Sequence, residues 1–597
     1  MTRRIALRPL ARILEARQKG ENPDAIEREN LRLRHEQQRD SLRQRAESRL
    51  FVLAVCIFAA FGAVGVKMTA LATSEPEEPT TATSGSSIIS TRADILDRQG
   101  RVLATNLLTN ALYVHPHELI DPEAAAEGLA GIFDDLDAET LLARFTSGRR
   151  FMWIRGSISP EQRQLVHDLG EPGLLFGPRE MRLYPNGALA AHVLGGARFG
   201  QQAVNAAEIV GVAGVEAEFD EDLRDPARGG APLDLSLDLT VQAAVEEVLD
   251  GGMTLMNARG AAAVLLDVHS GEVISLASLP DFDPNQRPRQ LLEGDPADSP
   301  LFNRAVQGRY ELGSTYKLFT VAQVLEEGLV DTDTMIDTRG PMRMAGFEIN
   351  DFTDHGAELS VRDVLVQSSN IGTARLAQMI GAERQQQFLG RLGLLEALDF
   401  DMVEARQGAP ILPSNWGQLS TMTISYGHGI SATQLHLAAS YATMVNGGTV
   451  IRPTLLRQDG PQMGERVISE QTSTALREML RAVVAEPEGT ANLAEVAGYE
   501  VGGKTGSADK PDPQGGYYDD RVIATFASVF PANDPRYVLV VTLDEPSIEV
   551  LGETRRTAGW TAVPVTAEVI RRVAPLLGLR PQDVDHDVAY RLSSASQ

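Results

Sequence analysis

The apolar and polar positions of the chain follow two different periods beyond residue 230. Four segments repeat apolar residues every three to four positions, which predicts helices; they cover Leu239–Leu249, Lys317–Glu327, Val361–Ile380 and Leu435–Asn446. Four shorter apolar runs end at turn residues, which predicts strands; they cover 261–268, 271–278, 521–530 and 537–543. We expect 261–278 and 521–543 to form antiparallel hairpins, so this region predicts an α/β (α+β) domain with an antiparallel sheet flanked by helices.

The first 90 residues have another pattern, because a charged arm precedes an uncharged apolar run. Residues 1–49 contain 13 basic and 8 acidic side chains, and residues 50–66 contain no charge. A membrane-spanning helix needs about 20 residues, and Arg49 and Lys67 can extend this one by reaching the two interfaces. We therefore expect an uncleaved anchor with its basic arm in the cytoplasm. The alternatives are a buried core helix or a signal peptide, although a signal peptide would start near residue 1.

Changes in composition predict how the chain divides into domains. Residues 74–87 are rich in Pro, Ser, Thr and Glu, as flexible tethers are. Short strand-like runs with Gly and Pro breaks follow, and they precede the region of helices and strands described above. The predicted organisation is an arm at 1–49, a transmembrane helix at 50–68, a linker at 69–87, a first folded domain at 88–230, a second folded domain at 231–580 and a tail at 581–597.

Charge and the choice of basic residues narrow the possible functions. The net charge of −26 argues against nucleic acid as the main partner, because phosphate binding requires a basic face. The single cysteine, Cys56, excludes an intrachain disulfide and a cysteine-based metal site. Only 5 of the 55 basic residues are lysines, and Lys317, Lys504 and Lys510 are those that follow residue 67. Because arginine does not lose its proton, the retained lysines indicate chemistry that arginine cannot perform.

The sequence Ser314-Thr315-Tyr316-Lys317 starts one of the predicted helices. Residues three apart share a helix face, so Ser314 Oγ and Lys317 Nζ can meet. A serine hydroxyl becomes a nucleophile when a base removes its proton, and a neutral lysine can be that base. Backbone N–H groups at the start of the helix can stabilise an oxyanion. Alone, the Ser-x-x-Lys pattern also fits an ordinary helix start with a solvated lysine.

A second polar group, Ser368-Ser369-Asn370, follows the segment 361–367. The hydroxyl of Ser368 could relay a proton between the nucleophile, a lysine and a leaving amine, and Asn370 could bind a substrate amide. The alternative is simple loop or cap chemistry, which Ser and Asn also favour.

The third group is Gly502-Gly503-Lys504-Thr505-Gly506-Ser507, which we expect on an edge strand where glycines let a substrate backbone approach. Lys504, Thr505 and Ser507 could bind a terminal carboxylate, and the N–H groups of Ser507 and Ser314 could form an oxyanion hole. The alternative is a phosphate loop, because 498–505 fits G-x-x-x-x-G-K-[ST]. A phosphate loop opens a helix, whereas the residues after Gly506 are rich in Pro and Gly.

In this order, Ser-x-x-Lys, Ser-x-Asn and Lys-Thr-Gly resemble the motifs of penicillin-binding proteins. From the anchor to about residue 575 the chain resembles the class B members, and it is most similar to the division-specific FtsI type at Tyr310–Thr315 and Ser368–Thr373. Leu312 and Ser507 replace the usual Pro and Thr of that type. Further similar segments are Arg92–Gly100, Arg182–Gly195 and Gly214–Glu216, which we expect to shape the family's pedestal domain, together with Asn303-Arg304, Tyr426–Ile430 and Asn446–Gly448.

The resemblance implies an elongated pedestal at 88–230 and a penicillin-binding transpeptidase domain at 231–580. It implies that Ser314 attacks the D-Ala–D-Ala bond of a peptidoglycan stem peptide, that D-alanine leaves, and that an amine of a second stem peptide takes the acyl group. The implied catalytic residues are Ser314, Lys317, Ser368, Asn370 and Lys504; the implied substrate-binding residues are Thr505, Gly506 and Ser507. No metal or organic cofactor is implied, and β-lactams would acylate Ser314.

The resemblance also implies a cellular setting. We expect an inner-membrane protein with a periplasmic catalytic domain at the division septum, working with an FtsW-type glycosyltransferase and other division proteins. Three alternatives remain: an elongation-type class B transpeptidase, a sensor that is acylated by penicillin without turnover, and a carboxypeptidase or β-lactamase that gives the acyl group to water.

Overall fold

The computed structural model describes residues 14–15, 17–20, 50, 53–68, 92–203, 206–344, 346–512 and 515–582. Most of the predicted arm, the whole predicted linker and the tail from residue 583 lie outside the described residues. Of the predicted membrane span, residues 53–68 are helical, while residues 51 and 52 lie outside the described residues. Within the described ranges, we find no helix with both the length and the apolar content that a membrane crossing requires.

The region from residue 92 to residue 234 contains a five-stranded sheet with helices packed on it. Strand β2 pairs antiparallel with β1, β3 and β4, and β7 lies parallel to β1, while β5 and β6 form a separate hairpin. These strands are β1 (Ile95–Leu96), β2 (Val102–Val114), β3 (Met152–Ile158), β4 (Leu174–Leu183), β5 (Gly196–Ala203), β6 (Ala206–Ala213) and β7 (Leu233–Asp234). The helices are α1 (Pro122–Ile132), α2 (Ala138–Phe145), α3 (Pro160–Asp168), α4 (Ala191–Leu194), α5 (Gly214–Glu218) and α6 (Asp220–Arg224).

The three pedestal-like segments of the sequence meet at Glu216, which is fully buried. Arg92 and Arg182 each donate from Nε to one oxygen of the Glu216 carboxylate, both at 2.6 Å. The Tyr184 hydroxyl donates to the same carboxylate at 3.2 Å. Because one buried carboxylate holds two buried guanidinium groups, removing its charge would leave Arg182 uncompensated and Arg92 paired with Asp220 alone.

The region after β7 contains a second five-stranded sheet, three short two-stranded sheets and most of the helices. The strands of the whole region are β8 (Gly260–Asp267), β9 (Val273–Leu279), β10 (Met335–Asp337), β11 (Met342–Met344), β12 (Phe347–Ile349), β13 (Glu358–Ser360), β14 (Gly502–Pro511), β15 (Tyr517–Phe530), β16 (Tyr537–Asp544), β17 (Ile548–Val550) and β18 (Glu553–Arg555). Its helices are α7 (Leu239–Leu255), α8 (Lys317–Glu326), α9 (Val361–Val366), α10 (Asn370–Ile380), α11 (Ala382–Arg391), α12 (Gln418–Ser425), α13 (Gln434–Val445), α14 (Glu470–Ala485) and α15 (Ala562–Leu576).

The sheet has the strand order β14-β15-β16-β8-β9, and every neighbouring pair is antiparallel. Both predicted hairpins are thereby confirmed. Successive side chains of a strand point to opposite faces, and β8 is buried on both. Ala262, Val264 and Leu266 face the core that contains α13. The residues between them face a second core, formed with α7 and α15.

The predicted single helix over Val361–Ile380 is wrong, because the chain forms two helices there. Helix α9 ends at Val366 and α10 begins at Asn370. Ser368 has a φ of 66°, in the left-handed region that a continuing helix cannot include. The Ser369 side chain then accepts a hydrogen bond from Gly372 N and caps α10. Apolar periodicity runs through both helices and does not reveal the break.

Candidate active site

Ser314 lies in a short 3-10 turn, Gly313–Tyr316, that leads into α8. A hydrogen bond from the protein core holds this turn in place, because the buried Tyr441 hydroxyl donates to the Thr315 carbonyl at 2.7 Å. Ser314 itself is half-buried, and its hydroxyl has no hydrogen-bond partner in the described part of the chain. A rigid turn therefore presents an uncommitted hydroxyl.

Strand β14 packs directly on this turn through two glycines. Gly313 has a φ of 54°, and a Cβ there would lie 2.8 Å from the Ser507 carbonyl oxygen. A Cβ on Gly506 would lie 2.2 Å from the Leu312 carbonyl oxygen, closer than such atoms can approach. The space at Gly506 is thus occupied by the chain's own backbone. The same contact brings the backbone of Ser507 beside the turn that carries Ser314.

Lys317 and Lys504 converge on Ser368, although the three residues come from three separate elements. Lys317 Nζ donates to the Ser368 carbonyl oxygen and, at 3.0 Å, to Ser368 Oγ. Lys504 Nζ donates to the same Oγ at 2.9 Å. Both lysine side chains are completely buried. One hydroxyl therefore connects two buried amines beside the turn of Ser314.

Burial changes the acid–base character of both amines. It lowers the pKa of Lys317 well below the usual lysine value; the neighbouring ammonium of Lys504 lowers it further, and the Asp351 carboxylate opposes both. Burial lowers the pKa of Lys504 to about 7. Desolvation disfavours the charged form of an amine, so both lysines can be neutral bases near physiological pH. An arginine in either position could not be.

Asp351, which follows β12, holds the Ser368-Ser369-Asn370 segment in place. One of its carboxylate oxygens accepts the Ser369 hydroxyl at 2.7 Å, and the other accepts the backbone N–H of Asn370 and, at 3.0 Å, that of Ile371. A carboxylate at a helix N-terminus is favoured by the unpaired N–H groups there. Asp351 therefore fixes the start of α10 and, through it, the left-handed conformation of Ser368.

The other predicted site residues make contacts within the protein. The Asn370 side chain donates to the Asn350 carbonyl at 2.9 Å. The Thr505 hydroxyl pairs with that of Thr490 at 2.8 Å, and Ser507 Oγ accepts Ala558 N at 2.9 Å. Their substrate-binding roles stay predictions.

Sequence reasoning missed Asp351, Thr490 and Tyr441. No motif joins Asp351 to a serine 18 positions later, because the contact depends on how β12 folds back.

Lys510, the remaining lysine after the apolar run, pairs with Asp544 at 2.8 Å and Glu545 at 2.7 Å, so its role is an ion pair.

The arrangement is suited to acyl transfer from a serine. A free hydroxyl lies at the start of a helix, close to two amines with lowered pKa values, those of Lys317 and Lys504. The backbone N–H groups of Ser314 and Ser507 adjoin the same turn. Within the described ranges, no group of three or more His, Cys, Asp or Glu side chains is placed to hold a metal ion. Lys504 lies on a strand rather than at the start of a helix, so the phosphate-loop alternative is wrong.

Comparison with known proteins agrees with this chemistry. Residues 261–571 match the penicillin binding protein transpeptidase domain, and residues 87–228 match the penicillin-binding protein dimerisation domain. The chain is 36% identical over 500 residues to a Caulobacter vibrioides protein named "Probable peptidoglycan D,D-transpeptidase FtsI", covering 82% of each chain. It is 29% identical over 524 residues to the peptidoglycan D,D-transpeptidase FtsI of Escherichia coli K12, covering 83% of this chain and 85% of that one.

A solved structure is also similar. It is penicillin binding protein 3 of Mycobacterium tuberculosis in complex with aztreonam, with a TM-score of 0.62 and 26% sequence identity. The similarity covers 83% of this chain and 98% of that chain. The match extends over the regions on both sides of residue 230.

Proposed function

The chain belongs to the penicillin-binding transpeptidase family, as a class B peptidoglycan D,D-transpeptidase of the FtsI type, and we propose that Ser314 is its nucleophile. The observation that carries the proposal is the convergence of Lys317 and Lys504 on Ser368 Oγ beside the Ser314 turn. This arrangement supplies a base that can be neutral and a relay for the proton of the nucleophile.

In the first half-reaction, Ser314 Oγ attacks the carbonyl carbon between the two terminal D-alanines of a donor stem peptide. Neutral Lys317 takes the hydroxyl proton, and the N–H groups of Ser314 and Ser507 stabilise the oxyanion. The C–N bond breaks and D-alanine leaves with a proton that Ser368 delivers from the lysine pair. An ester between Ser314 and the donor peptide remains.

In the second half-reaction, an amine of another stem peptide attacks the ester carbon. The new C–N bond forms, the bond between carbon and Ser314 Oγ breaks, and Oγ regains the proton that the amine loses. Earlier, in the first half-reaction and before D-alanine leaves, Lys504 and Thr505 would hold the terminal carboxylate of the donor, and Asn370 one of its amides. Lys504 can do so as a cation at or below its pKa of about 7.

A β-lactam would follow the first half-reaction and stop there. Its ring amide would acylate Ser314, and the opened ring would remain attached and hinder the incoming amine. The complex of the related penicillin binding protein 3 with aztreonam supports the proposal that β-lactams bind this chain.

The test of the proposed nucleophile is labelling by a fluorescent penicillin. Ser314→Ala should lose all covalent label while melting at the same temperature as the wild type. Ser147→Ala, at an exposed serine just after α2, is the matched control and should label normally. Label that persists in Ser314→Ala would overturn the assignment.

A reaction with donor and acceptor peptides separates the enzyme from its alternatives. A crosslinked product supports the transpeptidase. Release of D-alanine with hydrolysis of the acyl group and no crosslink indicates a carboxypeptidase, and acylation without turnover indicates a sensor.

We further propose an inner-membrane anchor at 50–68, with the catalytic domain in the periplasm. The uncharged run 50–66 and the net charge of +5 in residues 1–49 support it. A phosphatase fused after residue 90 should be active, and one fused at residue 45 inactive. The opposite pattern would contradict the topology.

We also propose that the enzyme works in septal synthesis with an FtsW-type glycosyltransferase and other division proteins. The FtsI names of its relatives support this role. Depletion should produce undivided filaments, and a fluorescent fusion should gather at midcell. Rounded cells with dispersed wall synthesis would indicate an elongation enzyme, in which Ser314 and both lysines keep the same roles.

A further inference from the structure

The loop that contains His428 packs against the turn that carries Ser314. Gly313 N donates to the Gly427 carbonyl at 3.3 Å. Gly427 has a φ of 83°, and a Cβ there would lie 2.0 Å from the Gly313 carbonyl oxygen, so a glycine is required. His428 therefore directly follows Gly427, whose backbone contacts Gly313, the residue before Ser314.

Two further contacts fix the position of this loop. The buried Glu311 carboxylate accepts Gly429 N at 2.9 Å and the Tyr517 hydroxyl at 3.0 and 3.1 Å. The His428 ring contacts two phenol rings, with centroid distances of 5.3 Å to Tyr426 and 6.4 Å to Tyr517. The imidazole thus packs against two aromatic rings, which limits its rotation.

The two nitrogens of the His428 ring differ. Nδ1 is buried and has no hydrogen-bond partner within the described residues. Nε2 also has no partner there, but it is open to solvent. Buried polar side-chain atoms usually have hydrogen-bond partners. Burying an imidazole nitrogen without one costs free energy that a phenylalanine ring in the same space would not. The solvent-open nitrogen, on a loop whose Gly427 contacts the residue before Ser314, is the feature that a phenylalanine could not supply.

We infer that His428 contacts the substrate and that its Nε2 accepts a hydrogen bond from the attacking amine of the acceptor stem peptide. The inference rests on the proposed function and adds a residue to its second half-reaction. Lys317 lies in the helix that follows Ser314, and Ser368 lies in the break between α9 and α10; these two residues handle the proton of the nucleophile. The loop of His428 contacts the turn through Gly427 and Gly313, the residue before Ser314, and from this loop the ring can orient the amine toward the ester carbon.

The test separates acylation from transfer in the full-length chain. A D-alanyl thioester serves as acyl donor and D-alanine as the amine, and the ratio of amide product to hydrolysed acid is measured. His428→Phe keeps an aromatic ring and removes Nε2, so this ratio should fall at least about tenfold, in the lower range of effects for a side chain at a proton-transfer site. Acylation by penicillin should change less than about threefold. His428→Gln, whose amide oxygen can accept a hydrogen bond, should recover part of the ratio.

Two outcomes would overturn the inference. One is an unchanged product ratio in His428→Phe, and the other is an equal loss of acylation and transfer, which would indicate a purely structural ring. If His428→Phe melts well below the wild type, His428→Leu takes its place in the same comparison. Failure of the proposed function is recognised separately, because Ser314→Ala would then still label with penicillin.

Discussion

Lys317 and Lys504 share one hydrogen-bond acceptor, Ser368 Oγ, at 3.0 and 2.9 Å. Two completely buried amines that contact the same oxygen cannot both keep a proton easily, because like charges in a desolvated site repel. Burial and this proximity lower the pKa of Lys317 well below its usual value. The shared hydroxyl then provides a path by which a proton can move between the two amines. Their titration belongs to the pair.

Replacing Lys317 by arginine should be nearly as damaging as replacing it by alanine. Arginine keeps the charge but cannot give up its proton, and its larger head does not fit the buried space at Ser368. We expect Lys317→Arg and Lys317→Ala both to lower the acylation rate by at least about 100-fold, the lower end for loss of a general base. The matched control is Lys510→Arg, because among the described residues the Lys510 side chain forms ion pairs alone and should tolerate the change. Near-normal acylation in Lys317→Arg would show that charge alone is needed.

Removing the charge of Asp351 should slow acylation although Asp351 lies outside the three motifs. The asparagine side chain of Asp351→Asn would keep one acceptor oxygen. Either the Ser369 hydroxyl or the backbone N–H groups at the start of α10 would then face an amide N–H, and Ser368 would lose part of its support. We expect a loss of about 1–3 kcal/mol in stability, as for an unsatisfied buried donor, and slower labelling by penicillin.

Asp354→Asn is the matched control for this change, because Asp354 caps only Gly356 in its own loop. Equal labelling rates in the two variants would contradict a positioning role of Asp351.

The lowered pKa of Lys504 predicts how stability depends on pH. The unfolded chain keeps this proton up to a pKa near 10.5, whereas the folded chain releases it at about 7. Between these values the unfolded state binds more protons, so the contribution of Lys504 to stability rises with pH, at most by about 1.4 kcal/mol per unit. Below pH 7 both states are protonated and the full cost of burying the charge is present.

The comparison for this prediction is with Lys504→Met, which is uncharged at every pH. The wild type should gain stability relative to this variant when urea unfolding is measured at pH 7, 8 and 9. A difference between the two proteins that stays constant over this range would contradict the shifted pKa.

Glu216→Gln should destabilise the pedestal region far more than a surface change. It leaves the buried Arg182 without a compensating charge and Arg92 with Asp220 alone, and breaking a buried ion pair costs about 3–5 kcal/mol. Glu218→Gln, which breaks a partly exposed pair with Arg406, should cost less than about 1 kcal/mol. The measurement is thermal melting. Similar melting temperatures for the two variants would show that the buried cluster has little effect on stability.

The sequence by itself determined the chemistry of the site and much of the catalytic fold. Serine, lysine and glycine recur in three short patterns because the reaction needs a nucleophile, a base that can be neutral and a closely packed strand. The two central hairpins could be predicted, since short apolar runs and tight turns act locally. The helices that start at Leu239 and Lys317 could be predicted for the same reason.

Only the tertiary structure decided how these parts meet. The break at Ser368, the support from Asp351 and the approach of Gly506 to Leu312 depend on contacts between segments far apart in the chain. Local periodicity reports burial but not which distant backbone lies opposite, so it extended one helix through residue 368. The pKa of Lys504 also depends on complete desolvation, which arises only when strand, turn and helix pack together.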